Sequence, residues 1–202
     1  MPTARRFFLP AIAPMLATSL LLLASSAAPA GAQYLKAKDS APAPEFRGVT
    51  DWIQSEPLTM KGLRGKVVVV HFWTHGCYNC RNNYEHYRAW QERYAGKDVV
   101  IIGIHTPETP GEARIEGIKA QAQKNGLKFA IAVDNDGANW RAWENRFWPT
   151  VYVIDRDGTV RYGWEGELNY KGAKGEETVR KMIDSLLAEK PNGRGPASQL
   201  AR

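Results

Sequence analysis

The only two cysteines of the 202-residue chain stand three positions apart, as Cys77-Tyr78-Asn79-Cys80. Thiols at that spacing can form a small disulfide with each other or share a metal ion. A cross-link closing a loop of about four residues stabilises a fold by only ~2 kcal/mol, against ~3 for a fifteen-residue loop, so stapling gains little from this spacing. Reversible redox chemistry gains more, because the second thiol lies within reach of any bond the first one makes. Three histidines, His71, His75 and His86, stand nearby. A closed zinc site needs four converging ligands, yet Cys80 and His86 would lie roughly 9 Å apart along a helix axis, and His71 belongs to another element. A metal held here would use His75 with both thiols.

The elements that must position these thiols follow from periodicity. "KVVVVHFW", residues 66–73, is a short, β-branched apolar run of the kind that forms a strand buried on both faces. After the cysteines the period changes: Tyr84, Tyr87, Trp90 or Gln91, and Tyr94 recur at helical spacing, with Gly96 placed to stop the helix. Those aromatics read as core packing. "DVVIIGIH" supplies a second buried strand, so residues 67–105 form a strand–helix–strand unit with parallel strands and a right-handed crossover. A helix over 112–124 ended by Gly126, a strand in "LKFAIAVD" and a short helix in "NWRAWENRF" follow. "TVYVID", "RDG" and "TVRYGW" make a hairpin, and residues 176–187 an amphipathic helix. The sum is an α/β domain with a mixed sheet and helices on both faces.

That order puts Cys77 where the chain leaves a buried strand and enters a helix. Unpaired backbone amides and the positive end of the helix dipole favour a thiolate there, and the thiolate is the reactive form. Cys80 lies one turn further on the same side and deeper. Cys77 is thus expected to attack and Cys80 to resolve.

The ends of the chain differ in composition from its middle. Residues 1–32 carry Arg5 and Arg6, then the apolar "LATSLLLLA", then Ala30-Gly31-Ala32 before Gln33, the pattern of a cleaved export signal. "ARRFFL" is similar to a twin-arginine signal, with Ala4 and Pro10 departing from its usual flanks. Residues 33–44 read as a flexible lead-in, 45–190 as the folded domain and 191–202 as a Gly/Pro-rich disordered tail. Arg5 and Arg6 are the only charged side chains of residues 1–32, so removing them lowers the formal net charge from +6 to +4. The remaining basic residues are interspersed with acidic ones, which argues against a nucleic-acid partner. No interior stretch approaches the ~18 apolar residues of a membrane span, so no stable membrane insertion is expected once the signal is cleaved.

Taken together, "APEFRGVTDWIQSEPLTMKGLRGKVVVVHFWTHGCYNC", "VVIIGIHTPE", "AVDNDGANW", "FWPTVYVIDRDGTVR" and "WEGELNY" resemble the TlpA/ResA-like exported thioredoxins, and most of all the thioredoxin-like C-terminal domain of DipZ-type proteins. The resemblance spans about residues 44–188. It implies a thioredoxin fold with an N-terminal β-extension and a central αβ insertion, and a redox pair at Cys77 and Cys80 that needs no other cofactor. It also implies a cis-proline at Pro149, between Trp148 and Thr150, that guides an extended substrate chain, and it makes Trp73 the aromatic beside the redox pair. Trp73, Tyr78 and Trp148 would form an apolar docking surface, with Pro149 and Thr150 completing the substrate-binding residues. The implied partners are protein disulfides or dithiols of the cell envelope, in the periplasm or extracytoplasmic space, and a membrane electron donor of the DipZ/DsbD type. The direction favoured is reduction of the partner.

Two positions depart from the family pattern. His71 stands where thioredoxins carry a buried Asp, and Asn83 where some ResA-like members carry an acid. His71 is then the expected acceptor of the Cys80 proton, the alternative being a core histidine bonded to backbone. Two other functions also fit. Thr74-His75-Gly76-Cys77 matches the T-x-x-C of peroxiredoxins, with Val70 where that pattern has proline, and a metal-carrying or redox-inert interaction protein would use the same residues without turnover.

Overall fold

The computed structural model describes Met1, Tyr34–Lys36 and residues 41–189. Apart from Met1, the expected export signal lies outside the described residues, as does the tail at 191–202. The strands are β1 (Tyr34–Lys36), β2 (Asp51–Ile53), β3 (Val67–Trp73), β4 (Val99–His105), β5 (Ala130–Val133), β6 (Thr150–Ile154) and β7 (Val160–Glu165). They form one sheet in the order β1-β7-β6-β3-β4-β5-β2. The pairs β3–β4 and β4–β5 are parallel and the remaining pairs antiparallel. The four valines explain the centre of this sheet: every residue of β3 is buried, and each fully buried valine contributes on the order of 1.5–3 kcal/mol relative to exposure.

Alternation along β3 divides the core in two. Val67, Val69 and Trp73 face the cluster built with α2 (Tyr84–Arg93), α3 (Ile115–Lys124) and α5 (Gly175–Ala188). Val68, Val70 and Phe72 face a second cluster that takes Ala43, Met60 and Leu63 from the N-terminal segment and Trp143 from the end of α4 (Ala138–Ala142). That second face is therefore covered as much by irregular chain as by helix.

Three boundaries differ from the sequence reading. The helix expected to run from the cysteines to Gly96 is two helices, α1 (Tyr78–Asn82) and α2, broken at the buried Asn83. The helix expected from 112 begins at Ile115, after a single 3-10 turn at Pro110–Ala113. The lead-in at 33–44 contributes to the sheet: β1 pairs with β7, and Ala41 and Ala43 bond to Val160 and Gly158 across the turn of the β6–β7 hairpin. An edge strand offers unpaired N–H and C=O groups, and an adjacent extended chain satisfies them whatever its composition.

Candidate redox site

The site is the end of β3 and what the chain does on leaving it. Cys77 caps α1 in an extended conformation, and its Sγ accepts the Cys80 N–H at 3.1 Å. Cys77 keeps 8% of its surface exposed and Cys80 none; the two are unbridged. The Cys80 thiol, bonded to the Cys77 sulfur, holds the Cys77 thiol below its ordinary acidity value, aided by the N–H groups of Cys80 and Asn79 and opposed by partial burial and the Glu108 carboxylate. Burial pushes the Cys80 thiol well above the ordinary range, and its bond to Cys77 and the Cys77 charge push the same way. The two thiols are therefore perturbed in opposite directions, the thiolate favoured at Cys77 and the protonated form at Cys80.

His71 is packed among aromatic rings. Its ring stacks on Tyr87 at 4.1 Å and meets the edge of Phe129 at 4.6 Å. Gly103 on β4 makes room for it, since a Cβ there would approach His71 Cε1 to 3.0 Å and Trp73 Nε1 to 2.7 Å. Both ring nitrogens lack a hydrogen-bond partner among the described residues, and burial lowers the pKa to about 3. Burial that disfavours the imidazolium works against proton transfer from Cys80, whose thiol burial also keeps protonated. The alternative reading of a core histidine bonded to backbone is corrected, since neither ring nitrogen has such a partner among the described residues.

The expected docking residues separate by exposure. Tyr78 is 68% exposed, beside Cys77, and Trp148 is half-buried. The Trp148–Pro149 bond is cis, and the pairing of Phe72 with Thr150 sets Pro149 next to the end of β3. Trp73 and Thr150 are fully buried, which corrects their placement on a docking surface. Trp73 is the last residue of a strand covered on both faces and is wedged between Tyr84, His105 and Phe129. The Thr150 hydroxyl donates to the Phe147 carbonyl at 2.9 Å and so closes the turn. Phe147, which directly precedes Trp148, is 51% exposed and was not singled out by composition alone.

A polar clasp also holds the cysteine loop. The Thr74 hydroxyl donates to Glu112 Oε2 at 2.7 Å and lies 3.3 Å from His105 Nε2, which also accepts the His75 N–H. Glu112 Oε2 accepts the N–H groups of Glu108 and Thr109 as well. Gly76 lets the two loops touch, since any Cβ there would collide with the Glu112 carboxylate. The T-x-x-E spacing of Thr109 and Glu112 is a visible capping signal, but its link to the cysteines is not visible in sequence. Among the described residues no group of three or more His, Cys, Asp or Glu side chains is arranged to hold a metal ion, and no helix is long and apolar enough to cross a membrane.

Comparison with known proteins agrees with this architecture. Residues 40–163 match the model of the AhpC/TSA family. The chain belongs to the AhpC/TSA family. Within that thioredoxin-like family it is 30% identical over 144 residues to the thiol-disulfide oxidoreductase ResA of Bacillus thuringiensis, covering 71% of this chain and 74% of ResA. The protein DipZ of Mycobacterium tuberculosis is 38% identical over 146 residues, 70% of this chain but 21% of DipZ, so this AhpC/TSA member spans about a fifth of that relative. A thioredoxin-like protein solved in its oxidised form superposes with a TM-score of 0.65 at 27% identity, over 75% of this chain and 97% of that one. The resemblance to TlpA/ResA-like thioredoxins and the thioredoxin fold expected from it therefore hold, and the enzyme class expected is the one that ResA's name carries.

Proposed function

We propose that the chain is an exported thiol-disulfide oxidoreductase that exchanges its Cys77–Cys80 couple with disulfides of partner proteins, as a reductase. The observation that carries this reading is the opposite perturbation of two thiols one helical turn apart. The Cys77 thiolate attacks one sulfur of a partner disulfide, that S–S bond breaks, and the departing partner thiolate takes up a proton. Cys80 then attacks Cys77 Sγ, the Cys77–partner S–S bond breaks and the second partner sulfur leaves with the Cys80 proton, so that two electrons pass to the partner with one proton from Cys80 and one from solvent. Tyr78, Phe147 and Trp148 would dock the partner chain beside Pro149. Residues 1–32 would direct export and be removed, 45–190 would act as the thioredoxin-like domain, and a membrane donor of the DipZ/DsbD type would re-reduce the pair. The peroxidase reading has the Thr74 hydroxyl against it, since that group is buried and engaged by Glu112.

Equilibration of the purified chain with glutathione buffers tests the reading. A single reversible couple, lying nearer about −270 mV than about −120 mV, is expected of a reductase. A couple at the oxidising end would reverse the direction, and the absence of any reversible couple would remove the activity.

A further inference from the structure

Two segments, "VVIIGIHTPE" and "AVDNDGANW", meet at one buried carboxylate that the redox chemistry leaves unused. Asp134, in "AVDNDGANW", is fully buried at the end of β5. Its Oδ2 accepts the Thr106 hydroxyl at 2.9 Å and the Trp140 backbone N–H at 3.0 Å, while Oδ1 accepts the backbone and side-chain N–H groups of Asn139 at 2.8 and 3.0 Å. Both groups bonded to Oδ2 lead to Trp148. The Thr106 carbonyl accepts the Trp148 indole N–H at 3.0 Å, and the Trp140 ring stacks on the Trp148 ring at 3.9 Å. Thr106 is itself anchored by its N–H to the carbonyl of Trp73, the last residue of β3.

We infer that Asp134 is a positioning residue for partner docking: one carboxylate oxygen holds both supports of Trp148, the half-exposed aromatic that precedes Pro149. The inference rests on the exchange reaction proposed above and adds what selects its substrates. Large aromatics supply docking area at low conformational cost only when their rotamer is already held. A partner chain lying across Pro149 meets an indole fixed from its edge and from its face. A small disulfide, which needs only the Cys77 sulfur, does not use that surface. Selectivity for protein over small disulfides is thus set by a group that neither substrate touches.

The test compares wild type with Asp134→Asn, Thr106→Val and Thr106→Ser, using disulfide-bonded insulin and an aromatic small-molecule disulfide as substrates. Asp134→Asn and Thr106→Val are expected to raise the KM for insulin about tenfold, as loss of a charge-assisted hydrogen bond allows. The kcat, the rate with the small disulfide and the ultraviolet titration of the Cys77 thiolate should stay within about twofold, and Thr106→Ser, which keeps the hydroxyl, should behave as wild type. Equal losses on both substrates would reduce Asp134 to a fold-stabilising group and overturn the inference, as would an unchanged insulin KM. If Asp134→Asn does not fold, Thr106→Val decides alone, since it leaves the bonds to Asn139 and Trp140 intact. A wild type inert toward both disulfides would instead refute the exchange reaction itself.

Discussion

Cys77 and Cys80 carry the same side chain, and one turn of helix separates their acidities. The difference is one of solvation and hydrogen bonding: the outer sulfur accepts an N–H and an S–H, while the inner one loses water and gains a negative neighbour. Since a lowered thiol pKa means that the thiolate persists to lower pH, alkylation of Cys77 should titrate with a midpoint below the ~8.5 of a free thiol. Cys80→Ala should move that midpoint upward, because the largest stabilising contact is gone while the backbone N–H remains. Iodoacetamide rates across pH measure both, and a midpoint that stays put would assign the acidity to the backbone alone. This asymmetry was legible from the position of Cys77 after a strand. The burial of Trp73 and Thr150 was not, because exposure depends on which helix lies overhead.

At the scale of elements, Asn83 decides how the helix carrying the thiols meets the rest of the fold. Its side chain accepts the Leu168 N–H at 2.9 Å and donates to Tyr87 Oη at 3.3 Å, and the chain breaks there into α1 and α2. Asn83→Ala leaves the Leu168 amide buried without an acceptor, which should destabilise the protein by about 1–3 kcal/mol. The loss would be read as a lower urea midpoint at unchanged m-value. A midpoint equal to wild type would mean that α1 and α2 break for reasons of packing. The helix itself was legible from four aromatics at helical spacing. Its break was not, since the residue that fixes it lies 85 positions away in the chain.

For the molecule as a whole, two imidazoles enclosed in the fold link stability to pH. Burial lowers His71 and His105 to a pKa of about 3 each, with the neighbouring His75 adding to the effect on His105. An unfolded chain binds protons at these side chains below about pH 6.5, and the folded chain does not until about pH 3. Stability should therefore fall as pH drops through that window, by up to about 1.4 kcal/mol per pH unit for each histidine. Urea titrations between about pH 7 and pH 4 should show the slope, and His71→Phe should remove roughly half of it. An undiminished slope in that variant would place the linkage at other groups.

The sequence by itself determined the sheet's central strands, the order of helices around them and the pair of thiols at the strand-to-helix junction. Those features depend on periodicity and on neighbours a few residues away, and a chain carries that information locally. Only the tertiary structure decided that His71 is sealed among aromatic rings, that Glu112 clasps the cysteine loop, and that Asp134 supports Trp148. Each of these depends on which distant segments the sheet order brings within 3–4 Å of one another, and on the water that this packing excludes.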